Sequence, residues 1–183
     1  MIDTIFSCPV RKYNINNPDI KDWAHLVYDK EFDTQPSPFK KTLDEEELGG
    51  ILEDTYTETI ETFVKDIGLG KTHVALIKGA IVCILEKGES LSLCNTLPSH
   101  YTFTHYIEGI SPDVFYHPAR QLLEVFNPGL DEWNSAMSLY VNEGDVIVHP
   151  SYLDYITPPV ENKRTTMTPV SYTHLTLPTN SSV

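Results

Sequence analysis

The chain is poor in cysteine, poor in positive charge and without a long apolar run, and each shortage removes a class of protein. Three cysteines, Cys8, Cys83 and Cys94, stand among 183 residues. An odd, widely spaced set of three does not make a disulfide framework; it fits reduced thiols in a cytoplasmic protein. Lys and Arg number 13 against 26 Asp and Glu, a formal net charge of -13. A surface of that sign repels phosphate backbones, so nucleic acid is not expected as a partner. No segment approaches the ~20 apolar residues of a spanning helix. The opening MIDTIFSCPVRKYN has no basic segment followed by a long apolar one. Neither a membrane span nor a secretory leader is therefore expected. Internal repeats, low-complexity runs and linkers are also missing, and the length suits one domain with its own core.

A phosphate-binding loop is missing as well. Gly68-Leu69-Gly70-Lys71-Thr72 has the end of one, but the first glycine of the motif is replaced by Lys65. The order of elements is helix then strand, the reverse of what the motif requires. A helix end followed by a turn accounts for these residues.

The last fourteen residues are set apart. Val170 to Thr179 reads VSYTHLTLPT, the translation of a transposon adapter used in shotgun sequencing. A chance match of that length is very improbable, so residues 170–183 are read as non-native and the domain as residues 1–169. The other reading is a genuine strand with a Ser-rich tail. On the first reading the native gene is cut near Pro169, and His174 carries no functional meaning.

What is present is a change of period along the chain. Ile5 to Val10 reads as a short opening strand. Asn17-Pro18 is a capped helix start, and Ile20, Trp23, Ala24 and Val27 share one helical face. Thr34 to Lys41 is a loop with two prolines. Asp44-Glu45-Glu46-Glu47 reads as the acidic first turn of a helix. A second helix is predicted from Leu52 to Ile67, apolar at Leu52, Tyr56, Ile60, Phe63, Val64 and Ile67, and stopped by Gly68. Beyond it the pattern is of strands: 74–77 and 80–85 around a Lys78-Gly79 hairpin, then 90–95, 101–107, 121–126, 136–141, 146–149 and 164–169. Helices first and many short strands afterwards predict a mainly β, α+β domain, a jelly roll with its N-terminal helices packed on one sheet.

Glu143 to Val170 is the most informative stretch. Gly144-Asp145 turns into an apolar strand, Val146 to Val148. The corner His149-Pro150-Ser151-Tyr152-Leu153-Asp154-Tyr155 follows, and a β-branched strand opens with Arg164. This resembles the C-terminal signature of the 2-oxoglutarate/Fe(II) oxygenases of the prolyl-hydroxylase-like kind, in which the corner carries the pattern Gly-Asp-hydrophobic-x-x-Pro-Ser-aromatic-Leu-x-His and an Arg stands farther on. Phe115-Tyr116-His117-Pro118-Ala119-Arg120 resembles the family's Phe-x-Asp-Pro-Arg link, with His117 in place of Asp. Phe6-Ser7-Cys8-Pro9-Val10 resembles its opening strand.

The resemblance implies a double-stranded β-helix (cupin-like). It implies Fe(II) held by two histidines and a carboxylate, with open positions for 2-oxoglutarate and O₂. The family's first ligand pair aligns with Cys94 and Thr96, or with Asn95 and Leu97 if the register slips. The third aligns with Tyr155, or Asp154 after a slip. Hydroxyls are poor ferrous ligands and a thiolate selects softer metals, so a degenerate metal site is expected. Retention of Fe(II) and 2-oxoglutarate as cofactors stays open. Arg164 aligns with the arginine that anchors the far carboxylate of 2-oxoglutarate, with Thr165, Thr166 or Thr168 adding a hydroxyl. The plain alternative is a surface arginine paired with Glu161 or Asp154. Relocated metal ligands, if any, are His105, His149 and Asp154 or Asp145. Cys94 as a nucleophile lacks a nearby base in the sequence.

Three functions follow from the resemblance. The favoured one is a non-catalytic binding or structural module with a protein partner or a small carboxylate ligand. The second is an active dioxygenase with relocated ligands. The third is a phage virion or assembly component, since chains of this kind are frequent in phage and marine metagenomic sequence.

Overall fold

The structure, a computed structural model, describes residues 10–29, 40–44, 50–68, 73–96, 99–120 and 136–175. Two helices form where the 3.6-residue period runs. α1 spans Pro18–Asp29, and Asn17 Oδ1 accepts the Asp19 N–H at its start. Ile20 and Ala24 are buried on its inner face with Trp23 packed beside them. The Val27 side chain lies outside the described residues. α2 spans Ile51–Asp66 and buries Leu52, Tyr56, Ile60, Phe63 and Val64. Its last turn closes through the Gly68 N–H on the Lys65 carbonyl.

The strands form two antiparallel sheets. The larger has the order β1-β8-β5-β10-β3-β2 and the smaller β4-β9-β6-β7. In chain order they are β1 (Arg11–Asn14), β2 (Lys40–Asp44), β3 (His73–Leu85), β4 (Leu91–Cys94) and β5 (Tyr101–Glu108), followed by β6 (Val114–Tyr116), β7 (Ala136–Ser138), β8 (Asp145–Pro150), β9 (Tyr155–Thr157) and β10 (Arg164–Leu175). Both helices pack on one face of the large sheet. There Phe63 meets Tyr101 and Phe103 edge-on, and Val82, Ile84, Val146, Val148 and Met167 complete the core. A second core lies between the sheets, built from Tyr106, Phe115, Val141, Ile147 and Leu153. The mainly β class, with helices on one sheet, is as the sequence predicts. No helix among the described residues is long and apolar enough to cross a membrane.

Several expectations are corrected. Lys78-Gly79 is no hairpin: β3 runs unbroken from His73 to Leu85. It is held straight by β10 on one side and β2 on the other. The Lys-Gly pair marks an irregularity instead, because β10 passes from Val170↔Gly79 to Ser171↔Ile77 and skips Lys78. That shift falls at the boundary drawn for the adapter-like tail, and the strand continues through it to Leu175. Lys40 and Lys41 belong to β2, not to a loop, and Asp44 ends that strand. Glu45 to Glu47, Ile5 to Pro9 and the strand at 121–126 lie outside the described residues, and the strand expected at 136–141 is limited to Ala136–Ser138. β1, β6 and β9 arise where no strand was expected. Each is short and owes its extension to its neighbours, β8 for β1, β7 and β9 for β6, and β4 and β6 for β9.

Candidate functional site

Alternation along β10 sorts its threonines. Arg164, Thr166 and Thr168 line a cavity of about 110 Å³ between the sheets. Thr165 turns to the helix side and donates to Glu108 Oε2. Glu108 is also held by Lys21 and His25 of α1. Burial opposes its charge, but Lys21 outweighs it, and the carboxyl sits below its ordinary range. Of the threonines named from the sequence, Thr166 and Thr168 therefore reach the site and Thr165 does not.

Arg164 is 3% exposed and is not a surface arginine. Its two terminal nitrogens meet the two oxygens of Asp113 at 2.8 and 2.8 Å. Asp113 is 2% exposed. Thr157 Oγ1 donates to Asp113 Oδ1 at 2.6 Å and accepts from Arg164 at 2.9 Å. The Tyr106 hydroxyl donates to Asp113 Oδ2 at 2.7 Å, and its ring lies under the guanidinium, 5.0 Å from centroid to carbon. Burial works against the arginine's charge, yet the Asp113 carboxylate more than offsets it and raises the guanidinium pKa. Burial, then Asp113, raises the Tyr106 pKa, so this phenol stays a donor. The network ties β5 and β10 of the large sheet to β9 and the start of β6 in the small one. Neither Glu161 nor Asp154 is the arginine's partner. Asp113 was not singled out in the sequence, where Pro112 marks only a break between the strands expected at 101–107 and 121–126.

Thr96 and Tyr155 line this cavity, with Cys94 beside Tyr155. Cys94 faces Tyr155 across the β4–β9 pair, and its side chain lies near the Tyr155 hydroxyl. Thr96 Oγ1 approaches the same hydroxyl without the geometry of a full hydrogen bond. Burial, reinforced by Cys94, raises the Tyr155 pKa, which keeps the phenol neutral. Asp154, the slipped alternative, accepts from Asn95 Nδ2 at an exposed position.

His105 and His149 lie on opposite faces of the large sheet. His105 points to the helices, with Nδ1 2.7 Å from the Tyr56 hydroxyl. Burial pushes its pKa down to about 4. His149 points between the sheets, edge-on to Phe115 and Tyr155. Its Nδ1 is 3.0 Å from the Pro150 carbonyl, and burial lowers its pKa. Asp145 forms an ion pair with Lys12 and accepts from Asn14 and the Asn142 N–H. Burial opposes its charge, but Lys12 and Asn142 outweigh this and hold its carboxyl below the ordinary range. Among the described residues no group of three or more His, Cys, Asp and Glu is placed to hold a metal ion. His117 Nδ1 accepts the Ala119 N–H at 3.0 Å.

No family model matches the chain, and no curated protein matches its sequence. Solved structures do. AviO1 from Streptomyces viridochromogenes Tue57 superposes with a TM-score of 0.61 at 14% identity, over 92% of this chain and 91% of that one. A Pseudomonas putida prolyl-4-hydroxylase superposes with a TM-score of 0.58 at 8% identity, over 91% of this chain and 92% of its own. An oxidoreductase of the 2OG-Fe(II) oxygenase family from Burkholderia pseudomallei matches at a TM-score of 0.49 and 13% identity, with 71% of this chain against 56% of that one. The first two matches run nearly end to end. The chain has an oxygenase-like fold, similar to that of the prolyl-4-hydroxylase.

Proposed function

We propose that this chain is a divergent double-stranded β-helix of the 2-oxoglutarate/Fe(II) oxygenase kind whose metal site has degenerated, and that it acts as a non-catalytic binding or structural module. One observation carries the reading. Of the positions aligned with the family's three ligands, Thr96 and Tyr155 line one cavity and Cys94 pairs with Tyr155 across β4 and β9, so the set is a thiol, an alcohol and a phenol. Their placement supports the alignment, and their chemistry does not fit ferrous iron. A ferrous triad needs imidazole and carboxylate. A phenol ligates as phenolate, and burial at Tyr155 raises the cost of that form.

The test is turnover of the cosubstrate. The purified chain is incubated aerobically with Fe(II), ascorbate and 2-oxoglutarate, and succinate is measured beside a calorimetric titration with Fe(II) and Mn(II). Succinate at the protein-free level and no metal-binding heat are expected. Iron-dependent succinate formation overturns the proposal.

A further inference from the structure

The Arg164 guanidinium has the burial and the fork geometry of a carboxylate anchor, and a carboxylate is already on it. Asp113 takes both terminal nitrogens end-on. With Thr157 and Tyr106 it receives four donors, as many as an ionised carboxylate has lone-pair sites. A second acid would have to enter beside this anion, where like charges at low dielectric repel. The cavity, about 110 Å³, is also far smaller than the roughly 300–1,000 Å³ of ordinary ligand pockets. Among the described residues, the buried side-chain polar atoms left without a hydrogen-bond partner are Arg164 Nε–H and the Thr96 hydroxyl, groups suited to a water molecule.

We propose that Asp113 is a built-in occupant of the Arg164 carboxylate site, so that the chain fills this anchor itself and excludes 2-oxoglutarate from it. Removing the Asp113 side chain then creates a site for a carboxylate of one or two carbons. The inference rests on the fold reading above and adds an identity for the group held by the arginine.

The test has two arms. In the first, 2-oxoglutarate is titrated calorimetrically into the unaltered chain. No binding is expected at millimolar concentration, and binding that Arg164→Met abolishes overturns the proposal. In the second, Asp113→Ala is melted with formate, acetate, acetamide or sodium chloride at matched ionic strength. The substitution should lower Tm by roughly 10 °C. Formate and acetate should restore a large part of that loss, acetamide and chloride none of it, and Asp113→Ala/Arg164→Met should not respond to acetate. An Asp113→Ala chain indifferent to carboxylates overturns the proposal. Should that variant fail to fold, the first arm decides alone. Arg164-dependent binding of 2-oxoglutarate without succinate would sink this inference and leave the non-catalytic reading standing. Carboxylate rescue together with iron-dependent succinate would do the reverse.

Discussion

Two buried histidines show how strongly surroundings decide what a side chain can do. His105 is 1% exposed, and its Nδ1 is satisfied by a phenol that is itself buried. Protonating it would turn that acceptor into a second donor facing a hydroxyl. In the unfolded chain it takes a proton below its ordinary pKa of 6.5, and in the folded chain only near 4. Between those values the unfolded state binds more protons, so stability falls as pH is lowered through the window. The loss is on the order of 3 kcal/mol at full development. His149, lowered in the same direction by burial, adds to it. Thermal melts between pH 7 and 4 should show a falling midpoint, and His105→Gln should flatten the slope; an unchanged slope in that variant would refute the assignment. The same scale explains which site residues were legible. Arg164 stood out because it follows a recognisable corner and opens a β-branched strand. Asp113 did not, because a lone carboxylate after Ser-Pro has the look of any turn, and its partner is 51 residues away.

Elements were legible where their period served their own burial. α1 and α2 were readable because each presents an apolar face to one surface. β3 was misread because Lys78-Gly79 satisfies the local rule for a hairpin, while β2 and β10 flank it and keep it extended. β1 and β9 carry too little pattern of their own, and pairing makes them. The junction of β5 with β10 has a tighter demand. Gly109 has φ 79°, and a Cβ there would lie 2.5 Å from the Lys163 carbonyl oxygen, next to Arg164. Gly88 has φ 88° with open space around it. Gly88→Ala should therefore cost about 1 kcal/mol, the conformational share alone. Gly109→Ala should cost about 3 kcal/mol or more, since backbone must also move. Urea denaturation of the two variants measures the difference, and equal midpoints would argue against the close approach.

At the scale of the molecule, the large sheet carries one core on the face toward the helices and another on the face toward the small sheet, with a smaller cluster of Cys83, Leu85 and Val160 at β3. The mainly β class with two helices was visible in the order of periods along the chain. The composition of the inner site was not, because it depends on residues from β4, β9, β10 and the segment before β6 meeting only after the sheets close. The Asp113 and Arg164 charges cannot be desolvated favourably until that closure has happened. This gives the pair a role in time as well as in place. Contacts completed after the rate-limiting step slow unfolding and leave the folding rate nearly untouched. Asp113→Asn should then speed unfolding by roughly a hundredfold while the refolding rate stays within a small factor of the unaltered chain. Stopped-flow measurements in urea would read both limbs, and a slowed refolding limb would place the pair in the nucleus instead. A pair of charges that stands where a cosubstrate might have been expected would in this way act as a latch, setting how long the two sheets stay together once they have met.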